Sequence, residues 1–188
     1  MQILLASSSP RRRQLMQEAG YDFVVIPPDE SAESGELPHE NAEQRVARLA
    51  FQKAENVAHK TESGLILACD TLAECDGIIM GKPRDRQHAE QMLKTMEGRL
   101  HQVYSGVCLW RRPGDWRRIE TAVSTLRMKQ IPPEQLQAHL DSGDWEGKAG
   151  AFGFQQGYEW LELVEGTVSN VVGLPMDLLA EMLESSSL

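Results

Sequence analysis

The chain has 188 residues, 41% hydrophobic and 25% charged, enough for one generous domain or one with two lobes, and residues 1–188 read as a single domain. A net charge of -9 argues against a non-specific nucleic-acid binder, yet it suits a small anionic substrate held by a few focused cations. No apolar run reaches membrane-span length, no signal-peptide pattern opens the chain, and Cys69, Cys75 and Cys108 lack metal spacing, so the expectation is a cytoplasmic protein with reduced thiols and no membrane partner.

Ile3-Leu4-Leu5 reads as a strand. It runs into the hydroxyl-rich turn Ala6-Ser7-Ser8-Ser9, and then into a short helix with Ser9 as N-cap, Pro10 at its first position and Gly20 beyond its end. Tyr21 to Ile26 is β-rich and ends at Pro27-Pro28, and Asp29 to His39 is a polar loop. A long helix is expected over Glu40 to His59, with Ala42, Val46, Leu49, Ala50, Ala54 and Val57 on one face. Leu65 to Cys69 reads as a strand buried on both faces and stopping at Asp70-Thr71. Leu72 to Cys75 and Ile78 to Met80 flank Asp76-Gly77 as a hairpin. Asp85 caps a helix that ends at Gly98. His101 to Trp110 and Arg117 to Met128 read as strands, and Pro132-Pro133 opens a helix closed by Gly143. Asp144 to Gly157 is rich in glycine and aromatic residues, Trp160 to Val164 reads as a strand, and Pro175 to Glu184 as the last helix. The alternation gives an α/β class with a mixed central sheet.

The candidate chemistry begins at the first turn. A helix N-terminus carrying Arg11, Arg12 and Arg13 offers free N–H groups, a partial positive charge and forked donors, all suited to phosphate. A capped surface helix with solvated arginines is the plain alternative. Asp70, next to the Thr71 hydroxyl, stands where α/β sheets place ligands and suits a metal or a water proton. Lys82, between Gly81 and Pro83, is a restrained point charge, whereas Lys53 reads as a surface lysine at the polar edge of its helix. Glu30 and Glu33 in the polar loop are alternative second ligands for a divalent cation. In Lys148 to Gln155 the glycines permit close backbone approach, and Gln155 can both donate and accept at a nucleobase edge.

Taken together, Ala6-Ser7-x-Ser9-Pro10-Arg11-Arg12, Asp70-Thr71, Lys82-Pro83, Ser105-Gly106-Val107, Lys148 to Gln155 and Asn170 to Pro175 resemble the Maf family of nucleotide pyrophosphatases. The motifs occur in family order and span nearly the whole chain. The resemblance implies two lobes around a cleft, similar to inosine triphosphate pyrophosphatases. It implies hydrolysis of a nucleoside triphosphate to the monophosphate and pyrophosphate with Mg2+ or Mn2+. Asp70 would be the proton acceptor, Ser7, Ser9, Arg12, Lys53 and Lys82 would hold phosphate, and Glu30 or Glu33 would join Asp70 at the metal. Arg11, Thr71 and Gln155 match the Arg, Thr and Gln of the group acting on dTTP and UTP, where the 7-methyl-GTP group has Trp, Gln and Glu. A homodimer is the expectation for assembly. The alternatives are the same reaction on 7-methyl-GTP or CTP, or a non-catalytic nucleotide-binding regulator of cell division. Arg12→Ala and Lys82→Ala are expected to weaken triphosphate binding and leave thermal stability nearly unchanged.

Overall fold

The computed structural model describes residues 2–33, 35 and 37–185. The elements are β1 (Ile3–Ala6), α1 (Pro10–Glu18), β2 (Phe23–Val25), α2 (Ala42–Ala58), β3 (Gly64–Cys75), β4 (Ile78–Met80) and α3 (Arg86–Met96), followed by β5 (Leu100–Arg112), β6 (Arg117–Met128), α4 (Pro133–Ser142), β7 (Leu161–Glu165), α5 (Val168–Val172) and α6 (Met176–Ser185). The strands form one mixed sheet in the order β2-β1-β3-β5-β6-β7, with β4 paired to β3. The chain divides into two compact units: Met1–Thr71, Ser105–Ala122 and Gly173–Leu188 form the first, and Leu72–Tyr104 and Val123–Val172 the second.

In the first unit, β1 lies between β2 and β3 and is parallel to both. Alternation along the strands sends side chains to two different cores. Leu4, Ala6, Ile66 and Ala68 pack with Ala50, Ala54 and Val57 of α2. Ile3, Leu5, Leu65, Leu67 and Cys69 pack with Met16 of α1 and with Leu179 and Met182 of α6. A strand covered on both faces needs an unbroken apolar run, which is why 65–69 shows no polar alternation. Each fully buried Leu or Ile contributes roughly 1.5–3 kcal/mol. Helix α2 can lie this close only because residue 106 is glycine: a Cβ there would sit 2.3 Å from the Val46 carbonyl oxygen and 2.7 Å from the Ala47 nitrogen.

The second unit has one core. Ala89, Met92, Leu93 and Met96 of α3 and Leu136 and Leu140 of α4 pack with Leu126, Met128, Trp145, Phe152 and Trp160. Its hairpin forms as expected: Ala73 pairs with Met80 and Cys75 with Ile78, across a turn with Asp76 at φ 51° and Gly77 at φ 80°. Positive φ at both central residues is what a two-residue hairpin turn requires. The Asp85 side chain caps α3 by accepting from the His88 N–H at 2.7 Å. Strand β7 runs antiparallel to β6.

Two expectations change. The strand holding Asp70 does not stop there but continues to Cys75. Its partner β1 ends first, at the pair Ala6↔Ala68, so Asp70 lies just beyond the carboxyl end of β1 while its own strand goes on to pair with β4. The stretch before Gly173, to which the sequence assigns no helix, holds the short helix α5. Its β-branched valines hide a helix too short to show a period. The other boundaries move by only a few residues. All three cysteines are free and buried, and no helix among the described residues is long and apolar enough to cross a membrane.

Candidate functional site

The first turn of α1 is built as its sequence dictates. Ser9 is extended at φ -68° and ψ 119°, and its side chain accepts from the Arg12 N–H. Ser7 is buried, and its hydroxyl accepts from the Ser9 N–H and from Arg12 Nη1, both at 3.2 Å. The Arg12 guanidinium is therefore a fixed group. Its Nε donates to the Gly173 carbonyl at 2.7 Å and its Nη2 to the Thr71 hydroxyl at 3.3 Å. Guanidinium has five N–H groups, so these three bonds leave two with which to engage an anion. Arg11, beside it, is half-buried; burial first, and then the Arg12 charge, push its pKa below the ordinary arginine value. Two adjacent cations at a helix N-terminus, one of them desolvated, form a site that gains from a bound anion.

Thr71 joins this network rather than standing apart from it. Its hydroxyl donates to the Gly173 carbonyl at 3.2 Å and meets the Ser105 hydroxyl at 2.8 Å. The Gly173 carbonyl also accepts from Cys69 Sγ at 3.3 Å. One carbonyl thus collects three donors from α1 and β3. Gly173 itself sits at φ +126°, a conformation that side chains rarely adopt.

Lys53 departs from its sequence reading. It is 5% exposed, not a surface lysine. Its Nζ lies 2.5 Å from Asp70 Oδ1 and 3.0 Å from Glu33 Oε1. The signal was present in the sequence: Val46, Ala50, Lys53 and Val57 continue one helical stripe, and a lysine on a buried stripe needs a partner. Asp70 is itself buried at 8% exposure. The geometry also separates the two loop glutamates: Glu33 reaches Lys53, whereas Glu30 lies exposed on the single 3-10 turn Glu30–Ala32. Among the described residues no group of three or more His, Cys, Asp or Glu side chains converges as a metal cage would. Two carboxylates meeting at one cation still suit Mg2+ or Mn2+, which take few protein ligands and keep several waters.

In the second unit, Lys82 is exposed on the turn after β4 and Gln155 is exposed on the 3-10 turn Phe154–Gln156. A backbone bond links their segments, from the Gly150 N–H to the Gly81 carbonyl at 3.1 Å. Gly150, at φ +70°, could not carry a Cβ, which would lie 2.8 Å from the Phe152 ring and 3.2 Å from Ala73 Cβ. Sequence reasoning gave no role to Ser105 or the Gly173 carbonyl, and it missed His139 altogether. A hydroxyl or a carbonyl carries no signature of its long-range partners.

Fold and site together define an α/β protein in which a basic helix N-terminus is bonded to Thr71, the residue that follows a lysine-paired carboxylate, Asp70. A family profile described as "Maf-like protein" matches residues 2–186, and the chain belongs to the Maf family. It is 50% identical over 184 residues to a dTTP/UTP pyrophosphatase of Rhodopirellula baltica, covering 97% of this chain and 81% of that one. It is 40% identical over 177 residues to a dTTP/UTP pyrophosphatase of Carboxydothermus hydrogenoformans, covering 94% of each. In fold it resembles a HAM1 protein from Coxiella burnetii, with a TM-score of 0.55 at 15% identity over 99% of this chain and 100% of that one.

Proposed function

We propose that the protein is a nucleoside triphosphate pyrophosphatase that hydrolyses dTTP and UTP to the monophosphate and pyrophosphate. The observation that carries this reading is the buried Asp70, paired with Lys53 and one residue from Thr71, whose hydroxyl bonds the fixed Arg12 guanidinium. The set offers a carboxylate for water beside cations for phosphate. The names of the Rhodopirellula and Carboxydothermus relatives support the choice of nucleotide.

In this mechanism the N-terminus of α1, with Ser7, Ser9 and Arg12, binds triphosphate oxygens, and Lys82 adds a point charge. Asp70 orients the attacking water and takes its proton as the α–β anhydride bond breaks and pyrophosphate departs. Lys53, 2.5 Å from Asp70 Oδ1, holds that carboxylate in place. The fixed cations stabilise charge that grows on the phosphate oxygens, and they need no rearrangement to do so. Glu33 and Asp70 are the residues that would hold Mg2+ or Mn2+, which supplies charge neutralisation on the triphosphate. Arg11, Thr71 and Gln155 set the choice of base. The enzyme acts in the cytoplasm, as a homodimer.

Pyrophosphate release from a panel of dTTP, UTP, CTP, GTP and 7-methyl-GTP, with and without Mg2+ or Mn2+, tests the reading. Asp70→Asn should keep the fold and lower turnover by about 100- to 10,000-fold. Near-wild-type turnover in that variant removes Asp70 from the mechanism. A wild-type preference for 7-methyl-GTP or CTP leaves the reaction standing and rejects the pyrimidine assignment.

A further inference from the structure

His139, near the end of α4, is 3% exposed and has no part in the mechanism above. Its ring touches both ends of one loop. Nε2 lies 2.8 Å from the Ala151 carbonyl, and Nδ1 lies 2.7 Å from the Tyr158 hydroxyl. A carbonyl can only accept, so Nε2 carries the proton. In the neutral ring Nδ1 then accepts from the Tyr158 O–H. Burial favours that neutral ring by lowering the His139 pKa, and it keeps Tyr158 protonated by raising the phenol's. Tyr158 is pinned in turn by stacking on Trp160, with centroids 4.4 Å apart and planes at 15°.

The six residues between these two contacts, 152–157, include Gln155. Their starting point is strained. Ala151 has φ +63°, left-handed for a residue with a Cβ, directly after Gly150 at +70°. Such a backbone persists only where its surroundings hold it. The His139 bond falls on the carbonyl of that residue. Phe152 is then seated edge-on against His101, with centroids 5.3 Å apart. A hydrogen-bonded ring that closes both ends of a loop does more than fill a core.

We infer that His139, with Tyr158, is a positioning pair that staples residues 151–158 into one conformation and thereby presents Gln155 to the nucleobase. His139 touches no substrate and acts through the loop. The inference depends on the role proposed above for Gln155 only in its kinetic readout, because the staple can be read directly by hydrogen exchange.

The test compares wild type with His139→Leu, His139→Gln and Tyr158→Phe. His139→Leu removes both bonds, His139→Gln restores an amide donor toward Ala151, and Tyr158→Phe removes only the phenol. Amide exchange in 150–157 should speed up about tenfold or more in His139→Leu and less in Tyr158→Phe, while α2 and β3 stay unchanged. On dTTP and UTP, KM should rise about tenfold in His139→Leu with kcat moving far less, and discrimination against GTP should fall by a similar factor. His139→Gln should recover most of both. Unchanged exchange in the loop overturns the staple, as does a uniform acceleration throughout the protein. If His139→Leu does not fold, Tyr158→Phe decides by the same two readouts. Faster loop exchange with unaltered KM and selectivity overturns the presentation of Gln155. If wild type hydrolyses no nucleotide, the proposed function fails, and loop exchange still decides the staple.

Discussion

Replacing Arg12 with alanine separates a surface phosphate ligand from a group built into the fold. A solvated arginine could be removed at almost no cost in stability, which is the expectation from sequence. The structure predicts otherwise. Alanine would delete the bond from Nε to the Gly173 carbonyl at 2.7 Å and the bonds from Nη1 to Ser7 and Nη2 to Thr71, at 3.2 and 3.3 Å. Hydrogen bonds made by charged donors are worth roughly 1.5–3 kcal/mol each when buried and well aligned. These are partly buried, two of the three are long, and Gly173 keeps Thr71 and Cys69 as donors, so the sum is about 2 kcal/mol. For a chain of this length that lowers Tm by roughly 4–8 °C. Arg12→Lys is the informative companion: it retains the positive charge but not the fork, so it should lose most of the same stability while keeping more phosphate affinity. Thermal unfolding followed by circular dichroism, with triphosphate KM measured on the folded fraction, provides both readouts. A Tm within about 1 °C of wild type for Arg12→Ala would mean that these three bonds add nothing to stability and would return Arg12 to the solvated class.

Gln155→Glu replaces a side chain that donates and accepts by one that only accepts, and kcat/KM on dTTP and UTP should fall about 5- to 150-fold, the equivalent of roughly 1–3 kcal/mol, against little change for a distant surface glutamine. His101 is fully buried with both ring nitrogens unpartnered, and burial lowers its pKa from 6.5 to about 4. The unfolded chain therefore binds the extra proton between those values, and stability present above pH 6.5 is lost as pH falls toward 4. The loss amounts to about 3 kcal/mol in full, and urea unfolding at neutral and acidic pH should show that His101→Leu removes it; an equally steep slope in the variant would exclude His101 as its source. Gly106→Ala forces a Cβ to within 2.3 Å of the Val46 carbonyl oxygen, so α2 must move. The variant should lose about 1–3 kcal/mol or more, together with turnover, because Lys53 rides on that helix; intact stability and rate would show that the contact yields freely.

Local signals settled the elements. Ser9 and Pro10 at the start of α1, Asp85 before α3, Asp76-Gly77 between β3 and β4, and Gly143 after α4 all do in the structure what their chemistry predicts, since caps and turns depend on neighbours in sequence. The apolar run 65–69 marked the doubly covered strand for the same reason: burial on both faces leaves no room for polar alternation. The sequence also singled out Ser7, Arg12 and Thr71, which the structure joins by hydrogen bonds, and Asp70, which it pairs with Lys53.

Tertiary structure decided what those residues do to one another. Whether Lys53 faced solvent or a carboxylate depended on how deeply α2 sinks onto the sheet, and that depth is set by a missing Cβ some fifty residues away, at Gly106. Glu33 is the loop glutamate that comes within reach of that buried ammonium, a proximity that spacing in the sequence does not show. The Gly173 carbonyl and the His139 ring gain their roles from partners far along the chain, and hydrogen bonds across such separations leave no periodic trace in sequence. Short-range preferences are written residue by residue, whereas a network closes only once packing has fixed the distances between its members.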